Sequence, residues 1–280
     1  KYENIKKIIS DYHMINLGVA YQRIPIFEKQ LIQKGAKVTV MDGMEDFVAS
    51  DKNIKTITQV ISNKKNKEKF YITERQDSSS LFKLNEKFYS KYPGLKDIKH
   101  FKEVEVETLS ISDLSNEEIH NHEPNYIQMQ ICGGELLTFK GAHESFYNKL
   151  SIISVSTHLK PYFINAPLAD EVDNYLKNLD YKKIGENKIN FSHNIHVFPH
   201  SNNISRFEDG AQKLSNYNLY AKNNRIRNQK EFLYLIFGLM IEYLYSDIWD
   251  YFELHNDLLD KEIKNELDNL FIKLRKIYKE

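Results

Sequence analysis

The sequence predicts an α/β fold: a mostly parallel, doubly wound sheet with an antiparallel end, helices on both faces, and a helical tail. Three observations carry this reading. Residues 126–142, YIQMQICGGELLTFKGA, read as a buried strand, a two-glycine turn and the start of a helix. An apolar run ending in Gly133-Gly134 suits a parallel strand whose carboxyl end opens into a ligand crevice, because glycine lets a ligand or a helix approach the backbone. Residues 14–42 read as strand, turn, helix, strand, the opening of a nucleotide-type fold, and from about Asn223 the composition shifts to apolar and then amphipathic helix.

In chain order, residues 2–12 suit a short helix carrying Ile5, Ile8 and Ile9, and Met14 to Tyr21 a strand breaking into a turn. RIPIFEKQLIQKG places Ile24, Phe27, Leu31 and Ile32 at helical spacing, with Pro25 in a first turn and Gly35 as the stop. AKVTVMD follows as a second strand, and Asp42 at its tip is placed to accept hydrogen bonds from ribose hydroxyls, or else to form an Asp-Gly turn. Residues 54–61 alternate as a third strand, KFYITERQDSSSLF suits a strand entering a loop, and VEVETLSISDL another strand. Beyond Ala142, ESFYNKL completes a helix, LSIISVSTHL is a β-branched strand, and Leu168, Val172, Tyr175 and Leu176 form one buried helix face. KINFSHNIHVFPH and KLSNYNLYAKN make the antiparallel pair. Near the carboxyl terminus, Ile263, Leu267, Leu270, Leu274 and Ile277 recur at steps of four and three along a single seam.

Composition narrows the function classes. With 280 residues, 41% hydrophobic and 12% aromatic, the chain buries a full core. The expected division is a sheet domain over 1–222 and a helical hairpin over 223–280. Thirty-nine basic against thirty-nine acidic side chains give no net charge, which argues against a nucleic-acid surface. A single cysteine excludes an intrachain disulfide framework and points to a reducing, cytoplasmic compartment. The chain begins at Lys1 without a signal-peptide pattern, as a piece of a longer protein would. The apolar run Phe232–Ile241 is cut by Glu242, far short of the roughly 20 residues that span a bilayer.

The 126–142 segment resembles the diagnostic segment of the FkbM family of S-adenosylmethionine-dependent methyltransferases, Leu-Lys-Ile-Asp-Thr-Gln-Gly-Ala-Glu followed shortly by Leu-Lys-Gly-Ala. Gly133, Glu135, Leu136, Lys140, Gly141 and Ala142 keep that pattern, while Gln130 holds the aspartate position and Cys132 the glutamine. The family's Asp-Val-Gly-Ala appears as Asn16-Leu17-Gly18-Val19-Ala20, its acid after the second strand as Asp42-Gly43, its serines before leucine as Ser79-Ser80-Leu81, and its Thr-Leu-Asp as Thr108-Leu109-Ser110. The glutamate of a later strand corresponds to Ser154 or its neighbour.

The resemblance implies a class I methyltransferase, Rossmann-like sheet with a C-terminal helical extension. It implies S-adenosylmethionine as methyl donor, held by Asn16, Gly18, Ala20, Asp42, Gly43, Ser62, Asn63 and Gln130, and transfer to an oxygen of a small-molecule or carbohydrate acceptor. Methyl transfer from a sulfonium needs chiefly alignment, but an alcohol must also lose its proton. Gln130 sits where the family's acid would be, and an amide takes no proton. Glu135 and His158 are then the candidate bases. Glu135 also reads as a helix-start acid and His158 as a loop histidine. His193, His196 and His200, with His120 and His122, invite a metal reading. Strand alternation turns His193 and His196 to opposite faces and no carboxylate or cysteine completes a set, so no metal is expected. The alternative reading, motivated by Asn16, Ser110, Gln130 and Ser154, is a catalytically degenerate module that assembles with itself or a partner protein through its C-terminal helices.

Overall fold

A computed structural model describes residues 3–18, 26–44, 51–90, 98–115, 118–192, 211–222, 226–242, 248, 251–252 and 254–277. Its main sheet comprises β1 (His13–Leu17), β2 (Lys37–Asp42), β3 (Ile54–Thr58), β7 (Tyr126–Met129), β8 (Ile152–His158), β9 (Tyr181–Ser192) and β10 (Ala211–Lys222), in the order β3-β2-β1-β7-β8-β10-β9. The first five pair in parallel, and β10 runs antiparallel between β8 and β9. This is the mostly parallel sheet with an antiparallel end that the sequence predicts.

β1 is buried along its whole length, as a central parallel strand covered on both faces must be. Met14 joins a core layer with α1 (Glu3–Ile9), α2 (Ile26–Gln33) and α6 (Gln229–Ile241), whereas Ile15 and Leu17 join the opposite layer with α4 (Glu135–Gly141) and α5 (Ala169–Asn178). α6 is apolar all round, and every residue from Phe232 to Ile241 is buried, because the helix lies between the sheet and its neighbours. Gly238 allows the approach: a Cβ there would stand 2.5 Å from the Ile152 side chain. The amphipathic α7 (Lys261–Ile277) lies against α1, with Ile263 and Leu267 turned into the same core. Among the described residues, no helix is long and apolar enough to cross a membrane.

Two expected elements differ. The strand over 54–61 breaks at Gln59, whose N–H donates to Asp42 O at 3.0 Å and whose Nε2 donates to Glu107 O at 2.5 Å. Past it, β4 (Val60–Ile61) leaves the main sheet and pairs with β6 (His100–Leu109), which also pairs with β5 (Asn66–Thr73). The outer face of this small sheet carries the ion pairs Lys65–Glu107, Lys67–Glu105 and Lys69–Glu103. Likewise α4 ends at Gly141 instead of running through ESFYNKL. Ala142 is extended, and residues 144–147 form a separate 3-10 turn capped by the His143 side chain. Gly141 has to be small: a Cβ there would come within 2.6 Å of Asn63 Cα.

Candidate functional site

The carboxyl ends of β1, β2 and β7 meet at one cleft, where ligands of open parallel sheets bind. β1 ends in Gly18 with φ +66°, and a Cβ on it would lie 2.2 Å from Gln130 O, so the strand tips close on each other only because the residue is glycine. The Gly18 N–H donates to Met41 O at 2.9 Å and the Gln130 N–H to Leu17 O at 2.8 Å, tying the three tips together. Asp42 stands at the tip of β2, its Oδ1 accepting from the Met44 N–H at 2.7 Å, and Gly43 leaves room for Val60. Gly18, Asp42, Gly43 and Gln130 all line the cleft, which has a volume of about 80 Å³.

The other candidates lie elsewhere. Asn16 is fully buried on the α2 side of the sheet, donating from Nδ2 to Glu28 Oε1 at 2.8 Å. Ser62 is buried under the small sheet, its N–H donating to Leu109 O at 2.8 Å, and Asn63 packs beneath Gly141. Ala20, His193, His196 and His200 lie outside the described residues, among which no cluster of three potential metal ligands occurs.

Glu135 folds back on its own turn. Its carboxylate accepts from the Ile131 N–H at 3.1 Å and the Gly133 N–H at 2.8 Å, bracing a corner in which Cys132 (φ 56°) and Gly133 (φ 98°) are both left-handed. Burial raises its pKa to about 7, against the pull of those N–H groups. His158 is the last residue of β8, buried and stacked on Tyr162 with ring centroids 5.6 Å apart and edge-on to Phe163 at 5.1 Å. Burial lowers its pKa to about 4, so the ring is neutral at pH 7.

The strand-by-strand reading misses the far wall. Phe70, Gln76, Asp77 and Leu81, on or beside the small sheet, line the cleft together with Asp42, and Gln59 lines it beside Asp42, to whose O its N–H donates. The Ser79-Ser80-Leu81 match was the available signal: Ser80 Oγ donates to Cys132 O at 2.7 Å, pinning this wall to the β7 turn.

A larger basin, about 1070 Å³, opens at the amino-terminal edge of the sheet. Its Lys149, Lys230 and Arg227 pair with Glu123, Asp11 and Glu231 at 2.6, 2.6 and 3.0 Å, an arrangement that reads as a solvated rim of mutual ion pairs. The carboxyl-edge cleft is the functional candidate, because there the strand tips and helix starts converge.

No curated protein matches the chain. A solved structure titled "Structure of an antibiotic related Methyltransferase" aligns at 13% identity and a TM-score of 0.28, over 79% of this chain and 93% of its own. The model of the methyltransferase FkbM domain matches residues 24–183, more than half of the 280 residues. The chain therefore belongs to the FkbM methyltransferase family.

Proposed function

We propose that the chain transfers a methyl group from S-adenosylmethionine to a hydroxyl oxygen of a small-molecule or carbohydrate acceptor. The observation that carries this reading is the convergence of Gly18, Asp42, Gly43 and Gln130 on one cleft at the carboxyl edge. The residues suit an adenosyl group: Asp42 offers carboxylate oxygens to ribose hydroxyls, charged hydrogen bonds worth about 1.5–3 kcal/mol each, and Gly18 and Gly43 let Gln130 and Val60 close in around it. When bound, the donor would supply the electrophilic methyl group. The chain's own part is to align the acceptor, exclude water and receive a proton.

Gln130 does not take that proton. Glu135, held up near neutrality, would have to give up its backbone contacts to do so. His158 is neutral and its Nε2 has no hydrogen-bond partner among the described residues, but its lowered pKa makes it the weaker base, and its buried ring would have to be uncovered at the β8 tip to take the proton. The test is incubation with methyl-labelled S-adenosylmethionine and pooled polar hydroxyl compounds. Label in base-stable ether linkage supports the reading, and label in ester or amine linkage contradicts it.

A second reading has a specific observation behind it. Glu135 is engaged by its own turn and position 130 is an amide, the features expected of a module that keeps the fold without the reaction. It predicts no labelled product at any acceptor concentration. In that reading the C-terminal helices serve assembly, which sedimentation of the purified chain tests.

A further inference from the structure

One buried hydrogen bond joins the strand that ends at the cleft to the helix that follows it. Asn16 stands on β1, two residues before Gly18, and Glu28 stands in the first turn of α2, which begins at Ile26. Asn16 Nδ2 donates to Glu28 Oε1 at 2.8 Å, across twelve positions of the chain. Both side chains are fully buried, and the remaining oxygens, Asn16 Oδ1 and Glu28 Oε2, have no hydrogen-bond partner among the described residues. Burial pushes the pKa of Glu28 up to about 8, so at neutral pH the acceptor is a carboxyl and no bare charge enters the layer.

The rest of α2 is held by apolar side chains, Phe27, Leu31 and Ile32, packed into the core layer that also takes Met14 of β1. Such contacts draw the helix onto the sheet but have no direction. A hydrogen bond has a set length and angle, so the bond to Asn16 is what registers the first turn of α2 against β1. The tip of β1 has little freedom to absorb an error in that register. Gly18, at φ +66°, already lies so close to Gln130 O that a Cβ would stand 2.2 Å from it, and its N–H donates to Met41 O at 2.9 Å. Any shift of β1 is therefore felt at Gly18 and Gln130, both of which line the cleft.

We propose that Asn16 and Glu28 are a positioning pair for the methyl-donor site: their bond clamps β1 to the start of α2 and so fixes the Gly18 turn beside which the donor binds. The inference rests on the donor reading above, and the experiment separates the two. Asn16→Leu combined with Glu28→Met replaces both partners by apolar groups of similar size, an exchange that leaves a buried layer near its original stability. Glu28→Gln keeps an acceptor oxygen in the same place. Calorimetric titration with S-adenosylhomocysteine, run beside thermal melts, is expected to show an affinity loss of about tenfold or more in the apolar pair, which melts close to wild type, and affinity within about twofold of wild type in Glu28→Gln. An apolar pair that binds like wild type would overturn the clamp. So would a Glu28→Gln variant that loses as much as the pair, since the acid and not the bond would then be what the site needs. If the apolar pair does not fold, Asn16→Ala, which removes only the donating amide, is read by the same criteria. Either of those results leaves the donor reading intact, whereas wild-type protein that binds no S-adenosylhomocysteine would overturn both.

Discussion

Two helices that follow strands of the sheet each bury a glutamate in the first turn: Glu28 in α2, after β1, and Glu135 in α4, after β7. Burial raises both, Glu28 to about 8 and Glu135 to about 7. Their partners differ. Glu135 meets two backbone N–H groups of its own turn. Glu28 receives one side-chain bond, from Asn16, and its Oε2 has no hydrogen-bond partner among the described residues. Glu242 also faces Glu28 across this layer and favours its neutral form, and Glu28 in turn helps to raise the buried Tyr12 phenol. Thus the same residue type in the first turn of two helices serves as a strut in one place and as a held proton in the other.

The largest expected effect breaks the strut. Glu135→Ala leaves two buried N–H groups unpaired in a left-handed corner and should lower the stability to urea unfolding by about 3 kcal/mol. Asn16→Asp acts differently on the other glutamate, by setting a second carboxyl against Glu28. It should cost about 2 kcal/mol at pH 8 and much less at pH 5, where both groups hold protons.

Glu28→Gln sharpens the comparison through pH. The native pKa of Glu28 lies above that of the unfolded chain, so the folded state retains a proton that the unfolded state releases between about pH 4.5 and 8. The stability attached to Glu28 is therefore complete below that window and lost as pH rises through it. An amide removes the dependence. The variant should match wild type near pH 5 and exceed it by about 1–2 kcal/mol at pH 8, measured by denaturant melts across the range. The smallest effect is at the cleft: Asp42→Ala should weaken S-adenosylhomocysteine binding about tenfold, or about 1.4 kcal/mol, with little change in stability.

The parts of this site that are local in sequence could be read from it. Gly18, Asp42 and the 126–142 block declare themselves because a strand tip, a turn and a helix start are adjacent in the chain. Acids supplied from distant elements could not be read. Where the family resemblance expects acids, three of the four substituted positions have a carboxylate beside them: Glu28 against Asn16 and Glu242 hydrogen-bonded to Ser154 and to Tyr126 come from other elements, and Asp113, three residues on, reciprocally caps Ser110. Glu242 lies 116 residues from Tyr126, and no periodicity encodes such a pairing. Asp77 and Phe70 were hidden for the same reason. KFYITERQDSSSLF and VEVETLSISDL read locally as two separate strands, and the pairing of β5 with β6 brings them together into a separate wall. Gln130 is the exception: it faces the cleft itself, where a lost acid bears on chemistry more than on packing.

The central claim is that this cleft holds the methyl donor even though positions 16 and 130 carry amides. Calorimetric titration of the wild-type chain with S-adenosylmethionine and S-adenosylhomocysteine tests it most directly. The account predicts saturable, micromolar binding of both at one site per chain; folded protein that binds neither would contradict it.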